Sequence, residues 1–149
     1  HINHTSDDWM AVLDTNLVSV FRWHKYLLPS MMYNGGGSII FMSSVSAIMG
    51  NPGQTIYSAS KSALHGLTKS LAHEVGRFGI RVNCIIPGLI KSEMVEEIPK
   101  EKLNILKEKI LLRRLGEQQD VANLVEFLLS QKSSYITAQS FIIDGGMSS

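Results

Sequence analysis

The chain predicts an α/β domain built on a doubly wound parallel sheet, and three features of its 149 residues carry that expectation. Helical and strand patterns alternate along it, as helix, strand, helix, strand, helices, strand. The three strand-like runs, 38–43, 80–86 and 140–144, are short and apolar; the first two start after glycines, and the last two end at Pro87-Gly88 and Gly145-Gly146. The segments between them are long enough to be right-handed crossovers, which sets the three strands side by side and parallel. Three strands are the C-terminal half of such a sheet. At roughly 30 residues per βαβ unit, the other half would need about a hundred residues ahead of His1, which is itself not an initiator methionine.

Thr5-Ser6-Asp7-Asp8 opens the first helix, with Thr5 as cap, Asp8 in the capping-box position and two acids at the positive end of the helix dipole. Trp9, Leu13, Leu17, Val20, Phe21, Leu27, Leu28 and Met31 then recur at three- and four-residue steps and extend one helix to about Tyr33. Asn16 stands beside that stripe; taken alone it is a surface asparagine or one bonded back to its own helix. Asn34-Gly35-Gly36-Gly37 stops the helix ahead of strand 38–43. A phosphate-binding loop lies between a strand and the helix after it, so these glycines read as cap and turn. Residues 43–54 follow as a loop punctuated by Gly50, Pro52 and Gly53.

A central helix covers 55–78, with Ala63, Leu64, Leu67, Leu71, Val75 and Phe78 as its apolar stripe. A second row, Ser58, Ser62, Gly66 and Ser70, is small, so either the sheet or the matching helix of a second subunit can approach along it. Gly76 and Gly79 end this helix, and strand 80–86 runs to the break at Pro87-Gly88. Residues 89–117 read as a loop with one or two short helices, the charges of Lys100-Glu101-Lys102 and Arg113-Arg114 forming a solvated face. A helix over 119–130 leads to the last strand, closed by Gly145-Gly146.

Composition narrows the partners. A formal charge of +1, spread along the chain, offers no basic stripe for nucleic acid. No window approaches 18 uninterrupted apolar residues, so nothing predicts a membrane span. The lone Cys84 lies in an apolar run and reads as a buried small hydrophobe. Together these suit the cytoplasm or an organelle matrix.

The chemistry is concentrated in Tyr57-Ser58-Ala59-Ser60-Lys61. Four residues are about one helical turn, so Tyr57 and Lys61 share a face, and an ammonium beside a phenol favours the phenolate. That is how a tyrosine becomes an acid–base group at neutral pH. Thirteen residues upstream, Ser44 ends the first strand, and ligands of an open α/β sheet sit beyond the carboxyl ends of its strands.

With Asn16, Ser44, Tyr57 and Lys61 in this order, Pro87-Gly88 after the next strand and Asp144-Gly145-Gly146 at the last, the chain resembles the short-chain dehydrogenase/reductase family. The match covers essentially all 149 residues and includes Arg81-Val82-Asn83. Gly50-Asn51-Pro52-Gly53-Gln54 and Arg114-Leu115-Gly116 are most similar to the 3-oxoacyl-[acyl-carrier-protein] reductases of fatty acid biosynthesis. The resemblance implies a Rossmann-like fold and an oxidoreductase using NADP or NAD, with NADP favoured by the subfamily. It implies that Tyr57 protonates the carbonyl oxygen of a ketone, such as a 3-oxoacyl thioester on acyl carrier protein, and that Ser44 holds that oxygen. Lys61 would hold the nicotinamide ribose, and Asn16 would keep a water in a proton relay. Pro87, Gly88 and Ile90 would line the nicotinamide, Ile90 through its backbone, with the Ser92 hydroxyl also on the cofactor. A homodimer or homotetramer would form through helices 6–33 and 55–78.

The chain departs from the family pattern at Ser92, where threonine is usual, and at Ala138, where glycine is usual before the last strand; the second puts the turn there in question. The glycine-rich first turn, the residue that selects NAD or NADP and the family's Asn-Asn-Ala-Gly segment do not occur in these residues; the strand bearing that last segment would cover 38–43, which is therefore expected to be a bare edge. Two rival readings remain: a non-catalytic or truncated assembly subunit, and a serine acyl-transfer enzyme using Ser58-Ala59-Ser60-Lys61. The second lacks the companion Ser-Asp-Asn and Lys-Thr-Gly motifs.

Overall fold

A computed structural model describes residues 4–149, the side chains of 94 and 96 apart; His1 lies outside the described residues. Three parallel strands, β1 (Gly37–Met42), β2 (Ile80–Pro87) and β3 (Ser140–Ile143), form one sheet in that order. Gly37 stands opposite Ile80 and Met42 opposite Ile85, while Cys84 faces Ser140 and Pro87 faces Ile143. Among the described residues nothing pairs with the outer edge of β1, as expected.

The predicted helix over 6–33 is present as α1 (Ser6–Leu13), a π-helical turn (Asp14–Val18) and α2 (Ser19–Tyr33) in unbroken succession. Its capping box forms as anticipated, Asp8 N donating to Thr5 Oγ1 at 3.2 Å and Thr5 N to Asp8 Oδ2 at 2.8 Å. The π-turn was not anticipated: Ser19 N donates to Asp14 O, one residue further back than in an α-helix. At the other end Gly36 N donates to Met31 O, and a Cβ on Gly36 would stand 2.6 Å from Gly79 O. The glycine run is therefore a cap and a close backbone approach, as its place in the chain suggested.

The 43–54 loop is not wholly irregular. It contains one helical turn, α3 (Ser46–Met49), tied down by Asn51 Nδ2 and the Gln54 side chain around Ser46 Oγ. The central helix α4 (Thr55–Val75) tightens to a 3₁₀ turn over Gly76–Phe78 and stops at Gly79, φ +72°. Two short helices, α5 (Glu93–Glu96) and α6 (Lys100–Glu108), occupy the polar stretch, and α7 (Gln118–Leu129) precedes β3.

One face of β2, Ile80, Val82, Cys84 and Ile86, is buried with Phe41 of β1 under Leu64, Leu71, Ala72 and Val75 of α4. Leu17, Val20, Leu28 and Met31 pack against the same cluster, so the long first helix and α4 cover one side of the sheet. Each fully buried isoleucine or valine there contributes about 1.5–3 kcal/mol. On the other side α7 lies against β1, with Leu128 fully buried and its carbonyl accepting from Ser38 Oγ at 2.9 Å. Asn83, also fully buried, donates to Ile136 O and accepts from Gln139 N. Ala138, in that same turn, has φ +59°, the left-handed conformation that a glycine adopts without strain. The small row on α4 does not meet the sheet: Ser62, Gly66 and Ser70 are exposed, and nothing lies within 4 Å of a Cβ on Gly66. Cys84 is buried, and burial pushes its thiol pKa up, as suits a core side chain.

Candidate active site

The strand ends, the first turns of α4 and the segment after β2 converge on one edge of the sheet. Beyond Met42 the chain stays registered with β2: Ser43 N donates to Ile85 O at 2.8 Å and Val45 N to Pro87 O at 2.9 Å. Ser44 is thereby carried past the carboxyl end of β1, half-buried, with its hydroxyl accepting from Ser46 N at 3.2 Å.

Tyr57 is the third residue of α4 and is 37% exposed, so its phenol remains reachable. Lys61, one turn on, sends Nζ to Met42 O at 2.9 Å and stands 5.7 Å from the centroid of the Tyr57 ring. The last carbonyl of β1 therefore fixes the ammonium beside the tyrosine. Burial pushes the Lys61 pKa below its ordinary value, and the neighbouring Cys84 works the other way. Ser58 is not paired with this lysine: among the described residues its buried Oγ has no hydrogen-bond partner, while Lys61 Nζ is bonded to the Met42 carbonyl.

Asn16 corrects the expectation formed from it in isolation. On the π-turn it reaches across to α4, its Nδ2 donating to Ser60 Oγ at 3.0 Å, and Ser60 Oγ in turn donates to Tyr57 O at 2.7 Å. Ser60 is fully buried, and its hydroxyl links the first helix to the turn of α4 between Tyr57 and Lys61.

After β2, Gly88 N donates to Ile143 O at 3.0 Å, and a Cβ on Gly88 would lie 2.6 Å from Asp144 Cβ. Only a glycine lets these two strand ends approach so closely. Ile90 pairs with Gly116 through its neighbours, Lys91 N donating to Gly116 O and Gly116 N to Leu89 O. Among the described residues Ile90's own N–H and C=O have no backbone partner, which leaves one donor and one acceptor for a planar amide. Ser92 precedes α5 with a hydroxyl that makes no capping bond. A nicotinamide with its ribose fits this donor set: an amide-matching backbone pair at Ile90 and an ammonium at Lys61, beside strand ends that Gly88 lets close together.

Arg114 is more than part of a solvated face. It grips Asp120 through two hydrogen bonds, of 2.7 and 3.2 Å, and that guanidinium holds the Asp120 pKa at about 2. Asp120 also accepts from Glu117 N at the start of α7, so the pair fixes the helix that borders a cavity of about 220 Å³ lined by Ile90, Asn123 and Asp144. A larger open groove, about 660 Å³, is lined by residues 118–130 only and contains none of the candidate site residues.

Residues 1–148 match a family described as enoyl-(acyl carrier protein) reductase. The chain is 43% identical over 141 residues to a 3-oxoacyl-[acyl-carrier-protein] reductase FabG of Thermotoga maritima, covering 95% of this chain and 57% of that protein. It is 42% identical over 144 residues to human dehydrogenase/reductase SDR family member 4, covering 95% and 52%. A short-chain type dehydrogenase/reductase from Mycobacterium ulcerans superposes with a TM-score of 0.89 at 33% identity, covering 96% of this chain and 53% of that one. A protein from Thermus thermophilus superposes at 0.93 with 28% identity, covering 98% and 63%. The chain thus spans little more than half the length of the relatives it matches. Over that span its sheet order, its Tyr57–Lys61 turn and its matches agree, and the chain belongs to the short-chain dehydrogenase/reductase family.

Proposed function

We propose that this chain carries the catalytic residues of an NADP- or NAD-dependent ketone reductase whose substrate is a 3-oxoacyl thioester on acyl carrier protein. The observation that carries the reading is Lys61 Nζ, fixed by Met42 O at the strand end and set 5.7 Å from the Tyr57 ring. Tyr57, as general acid, gives its phenolic proton to the carbonyl oxygen, which the Ser44 hydroxyl holds at the end of β1. The nicotinamide, when bound, supplies hydride to the carbonyl carbon. Lys61 stabilises the phenolate left behind and holds the ribose; Asn16, at the foot of this turn, keeps the water through which the proton is replaced. Pro87, Gly88, Ile90 and Ser92 hold the nicotinamide side of the cofactor. The name of the Thermotoga maritima relative supports the acyl-carrier-protein thioester as substrate.

We also propose that two copies pair about a two-fold axis through α1–α2 and α4, and that two such pairs make a tetramer. The support is an exposed small row on α4, Ser62, Gly66 and Ser70, together with exposed aromatics Phe21, Trp23 and Tyr26 on α2.

The test is Tyr57→Phe in the full gene product. Loss of a general acid lowers turnover by about 10²- to 10⁴-fold, with cofactor affinity nearly unchanged because the phenol acts in the transition state. A variant keeping a tenth of wild-type turnover, with chemistry rate-limiting, would sink the assignment.

A further inference from the structure

We propose that His65 is a positioning residue for this reaction, its ring N–H donated to Ser43 so that the strand end bearing Ser44 and the helical turn bearing Lys61 are locked together. The inference rests on the functional reading above and adds to it a residue that the motif does not contain.

Ser43 is buried, and its hydroxyl meets two groups: Lys61 O at 3.0 Å and His65 Nε2 at 2.8 Å. The hydroxyl has one proton to give, and a carbonyl can only accept. Were the hydroxyl to donate to an unprotonated Nε2 instead, its oxygen and Lys61 O would face each other lone pair to lone pair at 3.0 Å in a buried site. The arrangement that satisfies all three groups has Ser43 donating to Lys61 O and accepting from a proton on Nε2. The ring therefore orients the hydroxyl, and the hydroxyl ties strand to helix at the lysine's own carbonyl.

The clamp sits between the catalytic groups. Ser43 immediately precedes Ser44, and its N–H is already held by Ile85 O at 2.8 Å. His65 is one turn beyond Lys61 on α4, whose Nζ reaches back to Met42 O, the residue before Ser43. A second bond between the same strand end and the same helix fixes rotation as well as distance, and small losses of alignment between reacting groups are costly. Burial, with the Lys69 ammonium adding to it, pushes the His65 pKa below its ordinary value, consistent with a neutral ring bearing one proton.

The test compares His65→Leu, His65→Gln, Ser43→Ala and the Ser43→Ala/His65→Leu pair in the full gene product, with NADPH and a 3-oxoacyl thioester. His65→Leu is expected to lower kcat about 5- to 20-fold with the KM for NADPH within about twofold. Glutamine, whose amide can donate from nearly the same place, restores kcat to within about threefold. The double variant should lose no more than the worse single one, because His65 acts only through the Ser43 hydroxyl that Ser43→Ala removes. His65→Leu with kcat within twofold of wild type, additive losses in the double variant, or glutamine failing to rescue in folded protein would each overturn the proposal. So would a ring-nitrogen NMR spectrum showing the proton on Nδ1, a measurement that needs no turnover. A wild-type protein that reduces no ketone would overturn the functional reading and this role together; an active wild type with an equally active His65→Leu overturns the role alone.

Discussion

Replacing Gly88 with alanine is expected to destabilise the protein, while the same replacement at Gly76 stabilises it. An added Cβ at Gly88 would lie 2.6 Å from Asp144 Cβ and 2.7 Å from Asp144 Cα. Ordinary contact begins near 3.4 Å, so the ends of β2 and β3 must part by about 0.8 Å, and they cannot do so by turning a flexible side chain. The parting breaks the bond from Gly88 N to Ile143 O and displaces the segment that leads to Ile90. Overpacking of this kind costs about 1–3 kcal/mol, and at about 2–4 °C per kcal/mol for a domain near this size the melting temperature should fall by about 2–12 °C. Gly76, by contrast, closes α4 with φ −57° and ψ −38°, and a Cβ there meets nothing within 4 Å. Alanine fits that backbone and reduces the freedom of the unfolded chain, a gain of about 0.4–1 kcal/mol. Scanning calorimetry on both variants reads the two signs, and titration with NADPH and with NADH shows whether Gly88→Ala also weakens the cofactor binding proposed for this segment. An unchanged melting temperature for Gly88→Ala, or a lowered one for Gly76→Ala, would refute the reasoning.

At the proposed helical seam Gly66→Leu inserts a large side chain into the small row, and the mass by light scattering should drop below that of the wild-type assembly; the same mass for both would place the interface elsewhere. The Arg114–Asp120 pair predicts an acid-range dependence. Because the folded Asp120 pKa is lowered to about 2 from 3.8, its stabilisation is fully present above the unfolded value and is lost as pH falls through 3.8 toward 2. In acid unfolding, the stability gap between wild type and Asp120→Asn should therefore be constant above about pH 5 and close below it; a gap that widened on acidification would contradict the sign.

The strands were legible because each is a short apolar run carrying β-branched residues, with a glycine or proline turn at one end or both, a pattern that depends on the chain's own burial and little else. Helix α4 and the Tyr57–Lys61 face were legible for a similar reason: four-residue spacing is a property of one helix. Ala138 stood out as an alanine in a glycine's place, and its φ of +59° shows what the substitution costs locally: the turn that bonds Ala138 N to Val82 O is kept in the strained conformation. The illegible features are contacts between elements. Periodicity reports which way a side chain points, not what stands there. Arg114 reads as one more surface cation until α7 brings Asp120 to it, and Lys61 reads as a partner for Tyr57 alone until β1 offers Met42 O.

Asn16 shows why such contacts concentrate at the site. In an uninterrupted α-helix each residue is turned by about 100° from the last, so an asparagine set between Leu13 and Leu17 competes with them for the core face. The π-turn over Asp14–Val18 inserts one residue into the hydrogen-bond cycle and shifts the register between α1 and α2. Leu17 and Val20 still reach the core cluster, yet Asn16 is free to bond Ser60 on the neighbouring helix. The irregular turn costs local helix geometry and returns a polar link into the turn that carries Tyr57. The apolar stripe includes Phe21 and Leu27, which are exposed in the structure, and it is read on the assumption of an unbroken α-helix, so it cannot reveal the turn. Its presence is accounted for by the Asn16–Ser60–Tyr57 chain that it makes possible.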